Sequence, residues 1–435
     1  MENLVVESTY PLHFREDDAR QLGKYLQGHH SVVLIGMKRV GINNFLRFFL
    51  YHQNIIPTYI SKTEKHIFIP VDLNDLVERE LFPFWILTLK RIVDYVQKSS
   101  LFDKKTKKEI EGYFLASIQS KELFLTIDCI RKTLLLVIQN GVFPTLFFLR
   151  FDRIKDAVTP QFFDNLQGLK DATHQKVSYV FTSFRGLDDL APHVFTKSAL
   201  SIFSHNMYIK PAKREDMDVI SKFYQIQNQQ LIQQEIEKEL LNDVGGSIQY
   251  LQLALILLRE SHSIPPTAEE LLQLLADDEQ VIFQSEELWE SLHVEEQAVL
   301  SKIAQKVSVT SEEKKRARYL WDTGIVVDSS GDNAIFSPLL LLYAKNKMKE
   351  KIDGNGGEFT RKEHLLFTFL KEHENDICER DKIVVNVWPE TESFGVSDWA
   401  IDRLAARVRG KLKKQGSLYE IQTVKTRGYK LVSIN

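Results

Sequence analysis

Along the first third of the chain, short β-rich apolar runs alternate with stretches of helical spacing. Ser31 to Ile35 is such a run; a glycine-bounded loop, Gly36 to Gly41, and a helical pattern from Asn43 to about His52 follow it. His66–Leu73, Thr145–Phe151 and Val177–Thr182 read as further strands, and Tyr208–Ile209 as a short fifth. Residues 76 to 135 carry apolar positions at helical spacing, interrupted around Ser99–Lys104. Strands alternating with helices predict a mostly parallel sheet covered on both faces. From Arg214 to about Ala276 the pattern is helical, with a break at Gly245-Gly246. Residues 284 to 347 predict two or three helices and a hairpin. Its first strand holds Ile325–Val327, its turn Ser329–Asp332 and its return Ala334–Phe336. Lys345 to Glu358, charged and containing Gly354, Gly356 and Gly357, is the best linker.

Beyond the linker the pattern changes. Thr360 followed by Glu363 predicts a capping box ahead of the stripe Leu365, Leu366, Phe369 and Leu370. A second helix spans about Arg380 to Val387. A third runs from Ser397 to about Lys413, with Ala400, Ile401, Leu404, Val408 and Leu412 on one side and Arg403, Arg407 and Lys411 on another. Tyr419–Val424 and Tyr429–Val432 read as strands around Lys425-Thr426-Arg427-Gly428. Three helices and a β-hairpin make a winged helix.

Composition narrows the picture. With 435 residues, two to four domains are expected. The net charge of -3 means that any polyanion contact rests on a local patch. Between Val396 and Lys430 there are nine Lys/Arg against three Asp/Glu, so the last segment is such a patch. A helix fits the major groove, where Arg and Lys read base edges or hold phosphates. The wing residues Lys425 and Arg427 reach a minor groove or the backbone. Arg409 lies nearer the flank of the third helix than Arg407, and Trp399 reads as a packed aromatic before a base contact. The basic run Lys314–Arg318 reads as a solvated face. Cys129 and Cys378, far apart, support no metal site or disulfide framework and suit small buried hydrophobes in a reducing compartment. No basic segment followed by an apolar run opens the chain, and no stretch approaches the length of a membrane span. A cytoplasmic protein without membrane partners is expected.

Phe359-Thr360-x-Lys362-Glu363, Val387-Trp388, Val396-Ser397-Asp398, Ile401-Asp402, Arg407-Val408-Arg409-x-Lys411-Leu412 and Ile421-Gln422-Thr423-Val424-Lys425-x-x-Gly428-Tyr429 occur in this order. The segment resembles the winged-helix effector domain of OmpR/PhoB-type response regulators. The resemblance implies that the third helix is the recognition helix and that Lys425 is the basic wing residue. Trp399 and Ala406 stand where that family often has polar or basic residues, which sets the sequence preference apart. No receiver domain with its phosphoacceptor aspartate is evident upstream.

Gly36-Met37-Lys38-Arg39-Val40-Gly41-Ile42-Asn43 follows a strand and opens a helix, the context of a phosphate-binding loop. A working loop ends in Gly-Lys-Ser/Thr; here Ile42 and Asn43 replace the lysine and the hydroxyl residue. Leu146 to Asp152 resembles the Walker B strand of AAA+ ATPases, including their STAND branch. The Asp-Glu pair falls on Leu149 and Arg150, and a slipped alignment would make Asp152 the metal ligand. Thr182 and Ser183 match the polar sensor position, and Gly245-Gly246-Ser247-Ile248-Gln249 the glycine-led start of the lid. Lys38 or Arg39 would replace lost charge only in part.

The expected architecture is multidomain, α/β plus α+β. A degenerate P-loop, AAA+/STAND-like domain spans 8–205, a helical lid 206–276, a helical, winged-helix-like linker domain 284–347 and the DNA-binding winged helix 358–435. The function expected is sequence-specific binding of duplex DNA in transcription regulation. The N-terminal module would act as a non-hydrolysing sensor or oligomerisation scaffold, without catalytic residues or metal. No cofactor is expected, although ATP or ADP bound without turnover stays open. Self-association and RNA polymerase are further candidate partners. Two alternatives stand beside this reading: an ATP-dependent STAND-type switch, and a protein-interaction scaffold with weak DNA binding.

Overall fold

The computed structural model describes residues 5–192, 194, 205–229, 232–260, 267–329, 332–352, 359, 361–388, 398–424 and 427–433, with backbone alone at 329, 349–352, 361, 398–400 and 414. The chain divides into two compact units, Met1–Lys345 and Asn346–Asn435.

The first unit is built on β1 (Val32–Ile35), β2 (Lys65–Asp72), β3 (Val142–Leu149), β4 (Ser178–Ser183) and β5 (His205–Tyr208), ordered β2-β3-β4-β1-β5. Each neighbouring pair is parallel, so each connection crosses over the sheet, here through helices. They are α1 (Glu16–Gln27) ahead of β1, α2 (Ile42–Tyr51), the run α3 (Leu81–Lys98), α4 (Lys104–Ser120) and α5 (Leu123–Gln139), then α6 (Pro160–Ala172) and the short α7 (Leu187–Leu190). Strand alternation sends Phe147 and Phe148 to opposite faces. Phe147 meets Phe49 and Phe68, while Phe148 meets Phe84 and Phe181. Both faces are covered, and the central strands β1 and β3 are accordingly mostly apolar.

Two boundaries here differ from the pattern. The helical run 76–135 breaks a second time at Lys121, whose left-handed φ of 55° ends α4. β3 begins at Val142 and ends at Leu149, not at Thr145 and Phe151. Eight residues pair with β2, from Lys65↔Val142 to Asp72↔Leu149, and Arg150 then turns out with φ 59°.

The rest of the unit is helical: α8 (Arg214–Asn228), α9 (Gln234–Val244), α10 (Ile248–Glu260), α11 (Ala268–Asp277), α12 (Glu279–Glu290), α13 (Val294–Ala304), α14 (Ser311–Arg316) and α15 (Tyr319–Asp322). The hairpin β6 (Val326–Ser329) and β7 (Asp332–Ile335) leads to α16 (Pro338–Ile352). Half of the expected linker is thus helix, because its glycines begin only at Gly354 and Lys345–Ile352 is made of helix formers. Among the described residues no helix is long and apolar enough to cross a membrane.

The second unit contains α17 (Arg361–Glu372), β8 (Cys378–Glu379), α18 (Arg380–Val387), α19 (Asp398–Lys414), β9 (Tyr419–Val424) and β10 (Gly428–Ser433). β10 lies between β8 and β9, antiparallel to both. Leu366, Leu370, Ile383, Val387, Leu404, Val408, Ile421 and Leu431 form its core. Cys378 and Cys129 are buried free thiols.

Candidate nucleic-acid interface and phosphate-loop cavity

In the second unit α19 faces the core with Ile401, Leu404, Ala405, Val408 and Leu412. At about 100° per residue, positions 399, 403, 406, 410 and 414 fall on the opposite side, with 407 and 413 at its margins. Ala406, Gly410 and Lys413 are exposed there and Arg403 is half-buried. The side chain of Trp399 lies outside the described residues, as does the whole of Lys425.

Arg407, Arg409 and Lys411 make contacts within the fold. Glu363, 1% exposed, accepts from Lys411 Nζ at 2.6 Å and lies 3.5 Å from Arg407 Nε. Its carboxylate thus serves the α17–α19 seam; Thr360, the cap residue of the predicted capping box, lies outside the described residues. Arg409 donates through Nε to the Ile421 carbonyl at 2.8 Å and through Nη2 to Thr423 Oγ1 at 3.0 Å, bracing α19 against β9. Arg407, Lys411 and Arg409 are thus placed in internal contacts, unlike the outward set. Asp402 Oδ1 accepts from both the Tyr429 hydroxyl and Arg380 Nη2, joining α19, β10 and α18. Burial and the Asp402 charge push the Tyr429 hydroxyl up to about 12. Arg427 at the wing base lies 3.6 Å from Glu379. The strand pairing explains Gly428: a β-carbon there would lie 2.0 Å from the Cys378 carbonyl oxygen.

Sequence reasoning missed Lys413, β8 and the Asp402 junction. The inward place of Glu363 was available in its spacing, since it shares helical phase with Leu366 and Leu370.

The predicted phosphate loop is formed in the first unit. It joins β1 to α2, and Gly41 caps the helix with φ 107°, a conformation that excludes a side chain. A cavity of about 720 Å³ lies over it, lined by the loop, Arg47, Asp152, Arg153, Thr182, Ser183, Ile248 and Glu287 among others. Gly36, Lys38, Gly41, Ile42, Asn43 and Asp152 are therefore brought together.

The donors of a magnesium–ATP cluster do not fit the residues present. The δ-methyl of Ile42 folds beside Gly36, and Ile248 of α10 packs on Gly41. Arg150 pairs with Asp72, and its backbone N–H donates to Thr182 Oγ1 at 2.7 Å. Asp152 reaches the cavity in the turn after β3. Burial pushes its carboxyl up, while Lys38, Arg153 and Arg150 pull it down.

Contacts from far along the chain complete the surroundings. Glu287 of α12 lies 3.1 Å from Arg39 Nε and 3.8 Å from Lys38 Nζ. Beyond β4, Arg185 is buried. It makes two 2.7 Å bonds to Glu296 of α13, donates to the Ser291 carbonyl at 2.6 Å and stacks 3.8 Å from the Tyr319 ring centre.

Residues 354–431 match a family model described as transcriptional regulatory protein, C terminal. The C-terminal unit carries an OmpR/PhoB-type winged helix. A Walker-type ATPase of Pyrococcus abyssi superposes with a TM-score of 0.50 at 14% identity, over 78% of this chain and 99% of that one. The Aeropyrum pernix ORC2 protein, in ADPNP–ADP complexes, gives 0.48 at 11% identity, over 81% and 98%. Likeness at such identity is one of fold, and the N-terminal unit has an AAA+-like P-loop fold. No curated protein sequence matches the chain.

Proposed function

We propose that this protein is a cytoplasmic, sequence-specific duplex DNA-binding transcription regulator, whose N-terminal module is a non-hydrolysing sensor or scaffold. The observation that carries the reading is the winged helix at residues 354–431 with Arg403 and Lys413 on the side of α19 away from its core. In this reading α19 enters the major groove. Arg403 addresses bases, Trp399 stands at the same side, and Lys425 and Arg427 hold the backbone or minor groove at the wing. Arg407, Arg409 and Lys411 shape the helix from within.

The test is DNA binding by the full-length protein across salt concentrations. Affinity should fall steeply with salt, because phosphate neutralisation supplies most of the non-specific term. Binding that is absent at low salt refutes the reading.

A second reading, an ATP-driven switch, is favoured by one observation: Asp152 and Lys38 both line the loop cavity. Phosphate release by the wild type that vanishes in Asp152→Ala would put it first. No release above background is expected, since the lysine, hydroxyl and carboxylate that act together on a phosphate–metal cluster are replaced.

A further inference from the structure

Five cations line the loop cavity: Lys38, Arg39, Arg47, Arg150 and Arg153. Their partners differ in origin. Arg47 is neutralised by Glu7 at 3.2 Å and Arg150 by Asp72, while Arg153 donates to Asn74 Oδ1 at 2.7 Å. These partners belong to the α/β layer or the segment just before α1. The two cations of the loop itself are matched differently. Glu287, which faces Lys38 and Arg39 with one oxygen each, is contributed by α12, some 250 residues further on.

We propose that Glu287 acts as an internal anion of the degenerate phosphate loop, and that a ligand bearing a polyphosphate group competes with it for Lys38 and Arg39. The contact has the chemistry of a displaceable pair. Arg39 is 47% exposed and Glu287 20%, so water and salt reach it, and exposed ion pairs hold weakly. An anion on the loop must either displace this carboxylate or share the cations with it. Displacement frees α12 from the loop and leaves the buried Arg185–Glu296 pair to hold α13. Ligand arrival would thereby be registered in α12, at the junction of the α/β layer and the following helices. The inference rests on the sensor reading of this module and is independent of DNA binding.

The experiment uses the full-length protein and inorganic tripolyphosphate without metal, at low salt. Binding is measured calorimetrically, and hydrogen exchange is followed over Glu279–Glu290. Wild type should bind weakly, with faster exchange in α12 on binding. Glu287→Gln should bind about ten-fold tighter, the effect of removing one charge a few ångströms from the ligand at intermediate dielectric. Its α12 should exchange faster even without the probe. Lys38→Ala with Arg39→Ala should abolish the effect on α12. Glu295→Gln, the same charge change at an exposed site on α13, should alter affinity less than two-fold. Equal affinity of wild type and Glu287→Gln overturns the proposal, as does an equal gain in Glu295→Gln or no binding to either protein. Salt-dependent DNA binding, measured separately, is unaffected by any of these outcomes.

Discussion

Replacing Arg185 by alanine should loosen the first unit where α13 meets the end of β4. The guanidinium and the Glu296 carboxylate are each only 6% exposed, and they share two hydrogen bonds. Deleting one member of such a pair strands the other in a poorly solvated site, at a cost of about 3–5 kcal/mol. The Ser291 carbonyl also loses its donor and the Tyr319 ring its cation. For a unit of this size about 2 °C of melting temperature accompanies each kcal/mol, so a drop of roughly 6–10 °C is expected. A two-unit chain need not unfold in one step. Hydrogen exchange over Val294–Ala304, alongside urea denaturation, gives the local measure. Arg185→Met combined with Glu296→Leu should recover most of the loss, because apolar substitution of a whole buried pair is close to neutral. A single-substitution cost below about 1 kcal/mol would refute this argument, and so would a double variant as unstable as the sum of its parts.

Arg407→Ala should lower the stability of the second unit by about 1–2 kcal/mol, as a partner of buried Glu363 is lost, and weaken matched and scrambled DNA alike; base-selective weakening at unchanged melting temperature would contradict this. Arg403→Ala should instead cost about 1–3 kcal/mol on a matched site with the fold intact, if it meets a base, read from binding isotherms beside a thermal melt. Asp243 provides a pH test. Burial, and then Glu239, push its carboxyl up to about 6, and its Oδ2 is a buried oxygen without a hydrogen-bond partner. A raised carboxyl favours the folded state fully below its unfolded value and loses that contribution as pH rises through about 6. Asp243→Asn should therefore stabilise by about 1–2 kcal/mol at pH 7.5 and make little difference near pH 4, measured by urea midpoints; a gain equal at both pH values would contradict it.

The legible parts of this chain were those whose cause is local. Strands β1 to β4 of the parallel sheet were found within a few residues, because buried parallel strands are continuous apolar runs. The helix α19 was found within one residue at each end, from apolar spacing alone. β8 was missed because its two residues carry no period; only pairing with β10 defines it. The second break near Lys121 was hidden because the residue gives no glycine or proline signal. The site was legible as a list and not as an arrangement. The loop glycines announced themselves, but Glu287 and Glu296 meet Arg39 and Arg185 across 248 and 111 residues. Arg407 and Lys411 looked like groove contacts because charge on a helix is usually outward. Both also reach a buried acid on the neighbouring helix, and only the phase of Glu363 hinted at that.

The division of labour around α19 bears on how such a protein can change. Five of its positions are tied to the core, and Asp402, Arg407, Arg409 and Lys411 to neighbouring elements. Among the positions away from the core, Ala406, Gly410 and Lys413 are exposed, and a β-carbon added at Gly410 would meet nothing within 4 Å. Larger side chains can be accepted at Gly410 without repacking, apart from any preference of the helix itself. Single substitutions at those exposed positions leave the packing of the helix in place, while its core-facing positions stay under constraint from the fold.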